Sequence, residues 1–452
     1  MSLPSHARLL LVSSLSIAVA GCGTVRAVKR TVLGPPEDTG PKILAGFIGG
    51  VVADEPRAAL AGRQVLALGG NAADAAVATG FMLAVTLPSR AALGGGGACI
   101  AYQAASNSPN GGVPEAILFP AAAPATNTGD RPAAVPLMAR GLYVLSARYG
   151  TRNFAALLAP AAQAARDGFP MSRALAFDLA PVGRPLTADP GAASVFAPHG
   201  AVLGEGGTVQ QTDLADTLDK IRTLGAGDLY QGLLAHRLAE SSAQVGGPIT
   251  TEDLRAAVPI VQPPVTSAAG NDQVAFLPQP ADGGLAATAA FRTLRQDANA
   301  VQAAEAAAQA AVPRASTPLP ASTSFVAVDR KGGAVACALT MNNLFGTGRI
   351  APGTGILLAA SPAAKPAALL TAGIAWNPGS HAFRAAVGAS GQNGAGLAGG
   401  YAMANALAGA ETPVPEPGRA NVISCPSYVP GGPESCRMAV DPRVAGLAAG
   451  SN

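Results

Sequence analysis

The chain has 452 residues, 49% hydrophobic and 13% charged, enough apolar material for one large domain or two ordinary ones. A formal charge of +3 spread over that length, with no basic run and no aromatic-interleaved patch, argues against a nucleic-acid partner. Aromatic residues are only 4%, so packing is expected to rest on Ala, Val and Leu brought close together.

At the N-terminus a short polar stretch carrying Arg8 precedes an apolar run from Leu9 to Ala20. That run is too short to span a bilayer and suits the core of an export signal. It leads into Val19-Ala20-Gly21-Cys22, which resembles the lipobox of bacterial lipoproteins. Cleavage before Cys22 and lipidation of its thiol are therefore expected. The mature protein would be tethered to a membrane and face the periplasm, with the outer membrane favoured because Gly23 follows the cysteine. Residues 1–21 are read as signal peptide and 22–43 as tether.

The globular part begins near Ile43. Apolar residues at helical spacing run from Arg57 to Leu68 and stop at Gly69-Gly70. Asn71, with Asp74 three residues on, is placed to cap a second helix that is apolar nearly all round and must be buried. Gly94 to Gly97 then opens a strand over 98–103; with no Lys-Ser/Thr, this glycine run is not a phosphate loop. Helical patterns recur at 137–149, 153–167, 172–180, 212–224, 229–245 and 286–312, and strands at 325–329, 334–340 and 354–358. Residues 104–115, 359–367 and 411–420 read as surface loops. Cys99 and Cys337 lie in apolar strand-like runs and are expected to be buried thiols. Cys425 and Cys436 bracket a Pro/Gly-rich segment and read as a disulfide in an oxidising compartment.

Searches for metal sites and histidine-based triads come up empty. His199, His236 and His381 are isolated, and neither a Gly-x-Ser-x-Gly nor a His-Glu-x-x-His motif is present, so no metal or cofactor is expected. A hydrolase without a histidine base can use a Ser, Thr or Cys at a newly made N-terminus, whose own α-amine is the base.

Val51-Val52-Ala53-Asp54, Leu68-Gly69-Gly70-Asn71-Ala72-Ala73-Asp74-Ala75-Ala76, Leu93 to Gly97, Gly246-Gly247-Pro248-Ile249-Thr250, Thr340 to Gly346 and Pro352 to Leu358 are similar, in order, to the motifs of the γ-glutamyltransferase family. The resemblance runs over roughly 50–395. It implies a four-layer αββα sandwich of the N-terminal-nucleophile hydrolase type, a chain that cuts itself, and large and small fragments that stay associated. By that resemblance 44–321 is large-subunit-like and 322–410 small-subunit-like, followed by a tail over 411–452. The family's Thr-Thr-His run falls on Ser322-Thr323-Ser324, so cleavage is expected between Ala321 and Ser322, with Ser322 as nucleophile. Thr340 falls where the family has a Thr bonded to the nucleophile, Asn342 on a contact to the glutamyl group, and Gly391-Gln392 on the oxyanion-hole pair.

The substrate half departs from the pattern. Pro120 stands where the family has an Arg that grips the glutamyl α-carboxylate, and Ala364 where it has an Asp that grips the α-amine. Arg90 and Arg131 are the nearest basic residues for a replacement clamp and otherwise read as surface charges. The expected activity is hydrolysis or transfer of a γ-glutamyl, or drifted, acyl group from small amides such as glutathione. The competing expectation is a catalytically degenerate lipoprotein serving as a binding or scaffold module.

Overall fold

The computed structural model describes residues 46–104, 112–313, 321–410 and 413–450. The chain divides into a segment Met1–Lys42 and a compact body Ile43–Asn452. The signal-peptide, tether and Cys22 assignments lie outside the described residues.

Seventeen strands follow one another among the described residues: β1 Gly49–Ala53, β2 Gly96–Tyr102, β3 Glu115–Phe119, β4 Phe169–Pro170, β5 Thr208–Val209, β6 Ile260–Gln262, β7 Val265–Ala269, β8 Asp272–Phe276, β9 Ser322–Asp329, β10 Ala334–Thr340, β11 Ile350–Ala351, β12 Ile356–Leu357, β13 Thr371–Asn377, β14 Ala382–Ser390, β15 Arg419–Val429, β16 Arg437–Ala439 and β17 Leu447–Gly450. One sheet has the order β17-β1-β9-β10-β2-β3-β6 and a second β16-β15-β14-β13-β8-β7; every pairing within them is antiparallel.

Strand alternation divides the side chains of the first sheet between two cores. Val52, Ile100, Tyr102, Val326, Val328 and Ala336 meet Ile374, Trp376, Phe383 and Ile423 of the second sheet. Val51, Cys99, Phe325, Ala327 and Cys337 point the other way, into a helical layer. The helices Gly283–Gln296 and Ala395–Ala408 cover the far face of the second sheet, against Phe276, Val387 and Ala389. The order of layers is helix, sheet, sheet, helix: the αββα sandwich the resemblance implies.

The helix Ala72–Thr86 is buried along its whole length. Asn71 and Asp74 form the expected capping box, and Asp74 also accepts from the Thr151 hydroxyl and the backbone N–H groups of Thr151 and Arg152. Other expectations are revised. The run 286–312 is two helices, because Asp297 turns back to accept the Asn299 N–H and breaks the ladder. The strand expected over 354–358 shrinks to Ile356–Leu357 in a two-stranded pair with β11. The tail 411–452 contributes β15 and β16 to one sheet and β17 to the other. Cys99 and Cys337 are not thiols: they face each other across β2 and β10, Cα atoms 4.1 Å apart, and are joined as a disulfide. Cys425 and Cys436 are joined as well.

Candidate active site

Where β9 begins is decided at its other end. Asp329 closes the β9–β10 turn by accepting from the Lys331 and Gly333 N–H groups, and its second oxygen accepts from Ala72 N–H at the start of the buried helix. Burial pushes the Asp329 carboxyl above its ordinary value, and those three donors pull it back only in part. The tethered turn fixes the register of the hairpin, which sets Thr340 directly opposite Ser322.

At that end the Ala321–Ser322 peptide is held by its carbonyl. Ala321 O accepts from Thr340 Oγ1 at 2.7 Å and from Met341 N–H at 3.1 Å. The Thr340 hydroxyl in turn accepts from Asn342 N–H at 2.8 Å. Asn342 takes up φ +58°, a region Asn enters more readily than most residues, and its amide donates to Ala360 O. Ser322 is 2% exposed, and its hydroxyl makes no hydrogen bond to a described group. Ser322, Thr340 and Asn342 thus lie together around one peptide bond.

A second layer of polar groups surrounds the start of β9. Thr323 donates to Asp54 Oδ2 at 2.7 Å, and the Asn421 amide reaches Asp54 Oδ1, Ser324 O and Ser324 Oγ. All are buried. Asp54 and Asn421 were not singled out from the sequence. The signal for Asp54 was a carboxylate closing an apolar strand run; Asn421 lay hidden in a stretch read as loop and tail.

β14 brings in Gly391 and Gln392. A Cβ at Gly388 would sit 2.9 Å from Ser324 Cβ, so this strand packs on β9 two residues before its own end. Gly391 then adopts φ +110°, where a Cβ would lie 2.3 Å from Pro417 O; only glycine fits. Gln392 follows at φ +53° and lines a cleft of about 730 Å³ together with Phe177, Leu344, Pro417, Arg419 and Arg443.

Of the two clamp candidates, only Arg90 departs from the expectation of a surface charge. Arg90 is no surface charge: it is 2% exposed and grips Asp178 with Nε and Nη2 at 2.7 and 2.5 Å. Burial works against its charge and Asp178 more than offsets it. Arg131 is exposed and donates to Thr347 O. Ala364 is exposed on its loop, and Pro120 follows β3 directly. Among the described residues no group of three or more His, Cys, Asp or Glu side chains could hold a metal ion.

The αββα sandwich of two antiparallel sheets is the fold of the N-terminal-nucleophile hydrolase class, and Ser322 stands at the head of its buried strand β9. The family model for gamma-glutamyltranspeptidase matches residues 58–312, more than half of the chain, and the chain belongs to that family. It is 32% identical over 267 residues to the glutathione hydrolase proenzyme of Bacillus subtilis (strain 168), covering 56% of this chain and 45% of that protein. To the Escherichia coli (strain K12) glutathione hydrolase proenzyme it is 32% identical over 256 residues, 52% of this chain and 43% of the relative. These alignments span less than half the length of the curated relatives. Among solved structures, a cephalosporin acylase from Bacillus halodurans superposes over 92% of this chain and 98% of its own, with TM-score 0.74 at 20% identity. Helicobacter pylori gamma-glutamyltranspeptidase superposes over 60% of this chain and 82% of its own, with TM-score 0.52 at 28% identity. The family-model match ends before Ser322 and does not reach Ser322, Thr340 or Asn342.

Proposed function

We propose that this chain is an exported, self-cleaving amide hydrolase or acyltransferase of the gamma-glutamyltranspeptidase family, with Ser322 as its nucleophile. The observation that carries the reading is the Ala321 carbonyl, held by the Thr340 hydroxyl and the Met341 N–H. Two donors on a carbonyl oxygen stabilise the negative charge that develops when its carbon is attacked. Ser322 Oγ adds to that carbon, the Ala321–Ser322 C–N bond breaks, and the hydroxyl proton passes to the departing nitrogen. Water then hydrolyses the resulting ester, leaving Ala321 as a carboxylate and Ser322 with a free α-amine and a restored hydroxyl.

Thr340, released from Ala321, can turn its hydroxyl to Ser322 Oγ. The α-amine, with an unperturbed pKa of about 7.7–8.0, accepts the Oγ proton as Oγ attacks a substrate amide. The tetrahedral oxyanion collapses, the C–N bond breaks, and the ammonium returns its proton to the leaving amine. Water or a second amine completes hydrolysis or transfer. Gly391-Gln392, turned sharply at the end of β14, is the proposed oxyanion donor pair, and Asn342 the proposed acyl contact. The substrates are small amides, γ-glutamyl compounds or acyl relatives of them. Membrane attachment through Cys22 is part of the same reading and rests on the Val19-Ala20-Gly21-Cys22 motif; a Cys22→Ala protein that stays in the membrane fraction counts against it.

Mass spectrometry of the purified protein tests the central claim. A fragment beginning at Ser322 is expected, absent in Ser322→Ala. A chain that stays whole and turns over no anilide would leave a binding or scaffold role instead.

A further inference from the structure

β9 loses its β1 neighbour before it reaches Ser322. Ala321 O accepts from Met341 N–H, so Ala321 and Met341 are a hydrogen-bonded pair and Ser322, opposite Thr340, is not. The Ser322 N–H therefore points away from β10, toward the β1 side. β1 makes its last pair between Ala53 and Phe325. Beyond it the chain continues into Asp54 and Glu55, and then turns into the helix Pro56–Ala67. The Asp54 carboxylate occupies this edge of β9. Its Oδ2 accepts from Thr323 Oγ1 at 2.7 Å, and its Oδ1 accepts at 2.8 Å from Asn421 Nδ2, the same amide that reaches Ser324 O.

Asp54 is 1% exposed, and both groups bonded to its carboxylate are neutral. The other buried carboxylates nearby are engaged. Glu55 accepts from the Ala58 N–H and the Thr86 hydroxyl, and Asp178 from Ser89 and Arg90. Two guanidinium groups, Arg90 before β2 and Arg419 on β15, act on Asp54 electrostatically, and neither donates a hydrogen bond to it among the described residues. Cutting the Ala321–Ser322 peptide replaces a neutral group by a carboxylate and a basic α-amine, at residues 5% and 2% exposed. A buried charge without a counter-charge is costly. The new amine emerges on the edge of β9 that Asp54 holds.

We infer that Asp54 is the positioning residue of the Ser322 α-amine: its carboxylate is the counter-charge that holds the amine beside Ser322 Oγ after the cut. The same carboxylate stabilises the ammonium formed when the amine takes the Oγ proton. A nucleophile's base oriented by a third group is the general arrangement for such activation. The proton moves only between Oγ, the α-amine and the leaving amine; none passes to Asp54. The inference deepens the proposed function and rests on its cleavage before Ser322.

Asp54→Asn tests this at nearly constant shape, since the new amide can donate to the Thr323 hydroxyl while its oxygen accepts from Asn421. A carboxylate beside an amine raises the amine's pKa, so removing it lowers that pKa by about one unit or more. In cleaved Asp54→Asn protein the acid limb of kcat/KM for an anilide should move to lower pH by that amount. Its plateau kcat should fall about 10-fold or more with KM little changed, and Asp54→Glu should keep most of the limb's position. On the unaltered cleaved protein, trace acetylation across pH, read by mass spectrometry of the Ser322 fragment, titrates the amine directly. Its pKa should be no lower than that of the same fragment after denaturation, although burial and the two arginines push it down. An acid limb unmoved in Asp54→Asn, or a native amine titrating below the denatured one, overturns the inference and leaves the cleavage standing. Should Asp54→Asn not fold, the acetylation result alone decides. An unaltered chain that yields no Ser322 fragment sinks the self-cleavage reading, and this inference with it.

Discussion

In the proposed mechanism Thr340 serves two partners in turn, and that sequence of duties can be tested. In the intact chain its hydroxyl and the Met341 N–H hold the Ala321 carbonyl. Removing one such donor costs about 10²- to 10³-fold in rate. Thr340→Val should slow fragment formation by about that factor, whereas Ser322→Ala should abolish it; a time course by mass spectrometry separates the two. Glu55 offers a prediction of a different kind. Burial raises its carboxyl above the ordinary value, and bonds from Thr86 and the Ala58 N–H, with the Arg57 charge, offset this only partly. A raised folded pKa means the native state binds the proton more tightly than the unfolded chain. Its contribution is therefore greatest below the unfolded value of 4.5 and is lost as pH rises through the folded one. Glu55→Gln, which keeps an acceptor for the helix cap, should flatten the change of Tm across the weakly acidic range; an unchanged slope would show that Glu55 does not govern it. Ser322, Thr340 and Asn342 were marked by the family resemblance, and they lie close in space because a strand pair joined by a tight turn converts sequence separation into position.

Helices carried their own punctuation. Asn71-Ala72-Ala73-Asp74 announces a capped start, and the structure places an intact capping box there. Asp74 also satisfies donors on the 151–152 turn, so the element is pinned at its first turn to a neighbouring loop. Losing the cap costs about 0.5–2 kcal/mol and each stranded buried donor about 1–3. Asp74→Ala should therefore destabilise by about 3 kcal/mol or more, read as a fall in denaturation midpoint; a loss near zero would mean water replaces the carboxylate. Several strands gave no such signal. β13 and β14 are buried almost throughout, so no apolar–polar alternation marks them. β15 begins at Arg419 just after a run of prolines, and its apolar residues are interrupted by Pro426, which made it read as tail.

At the scale of the molecule, cleavage before Ser322 would not divide the protein into two bodies. In one sheet β1 lies between β17 and β9, and β10 lies against β2, so strands from before and after the cut alternate. In the other sheet β8 joins β13. Separating the fragments means breaking both sheets. Removing residues 411–452 should be equally disruptive, because β15 covers β14 and β17 pairs with β1. Such a truncation is expected to yield insoluble protein; a soluble, cleaved product would show that these strands are dispensable. The layered fold and the order of its motifs were readable from the resemblance. The closing role of the tail was not, since Pro- and Gly-rich composition hides strands that owe their conformation to partners far away in sequence.

Cys99 precedes the proposed cut and Cys337 follows it. Processing would then convert an intrachain bridge into an interchain one, and the matured enzyme would be a single covalent molecule built of two polypeptides. Electrophoresis without reductant should show one band at nearly the precursor's mass even after complete cleavage. Adding dithiothreitol under denaturing conditions should split it in two, and Cys99→Ala should release the halves without any reductant.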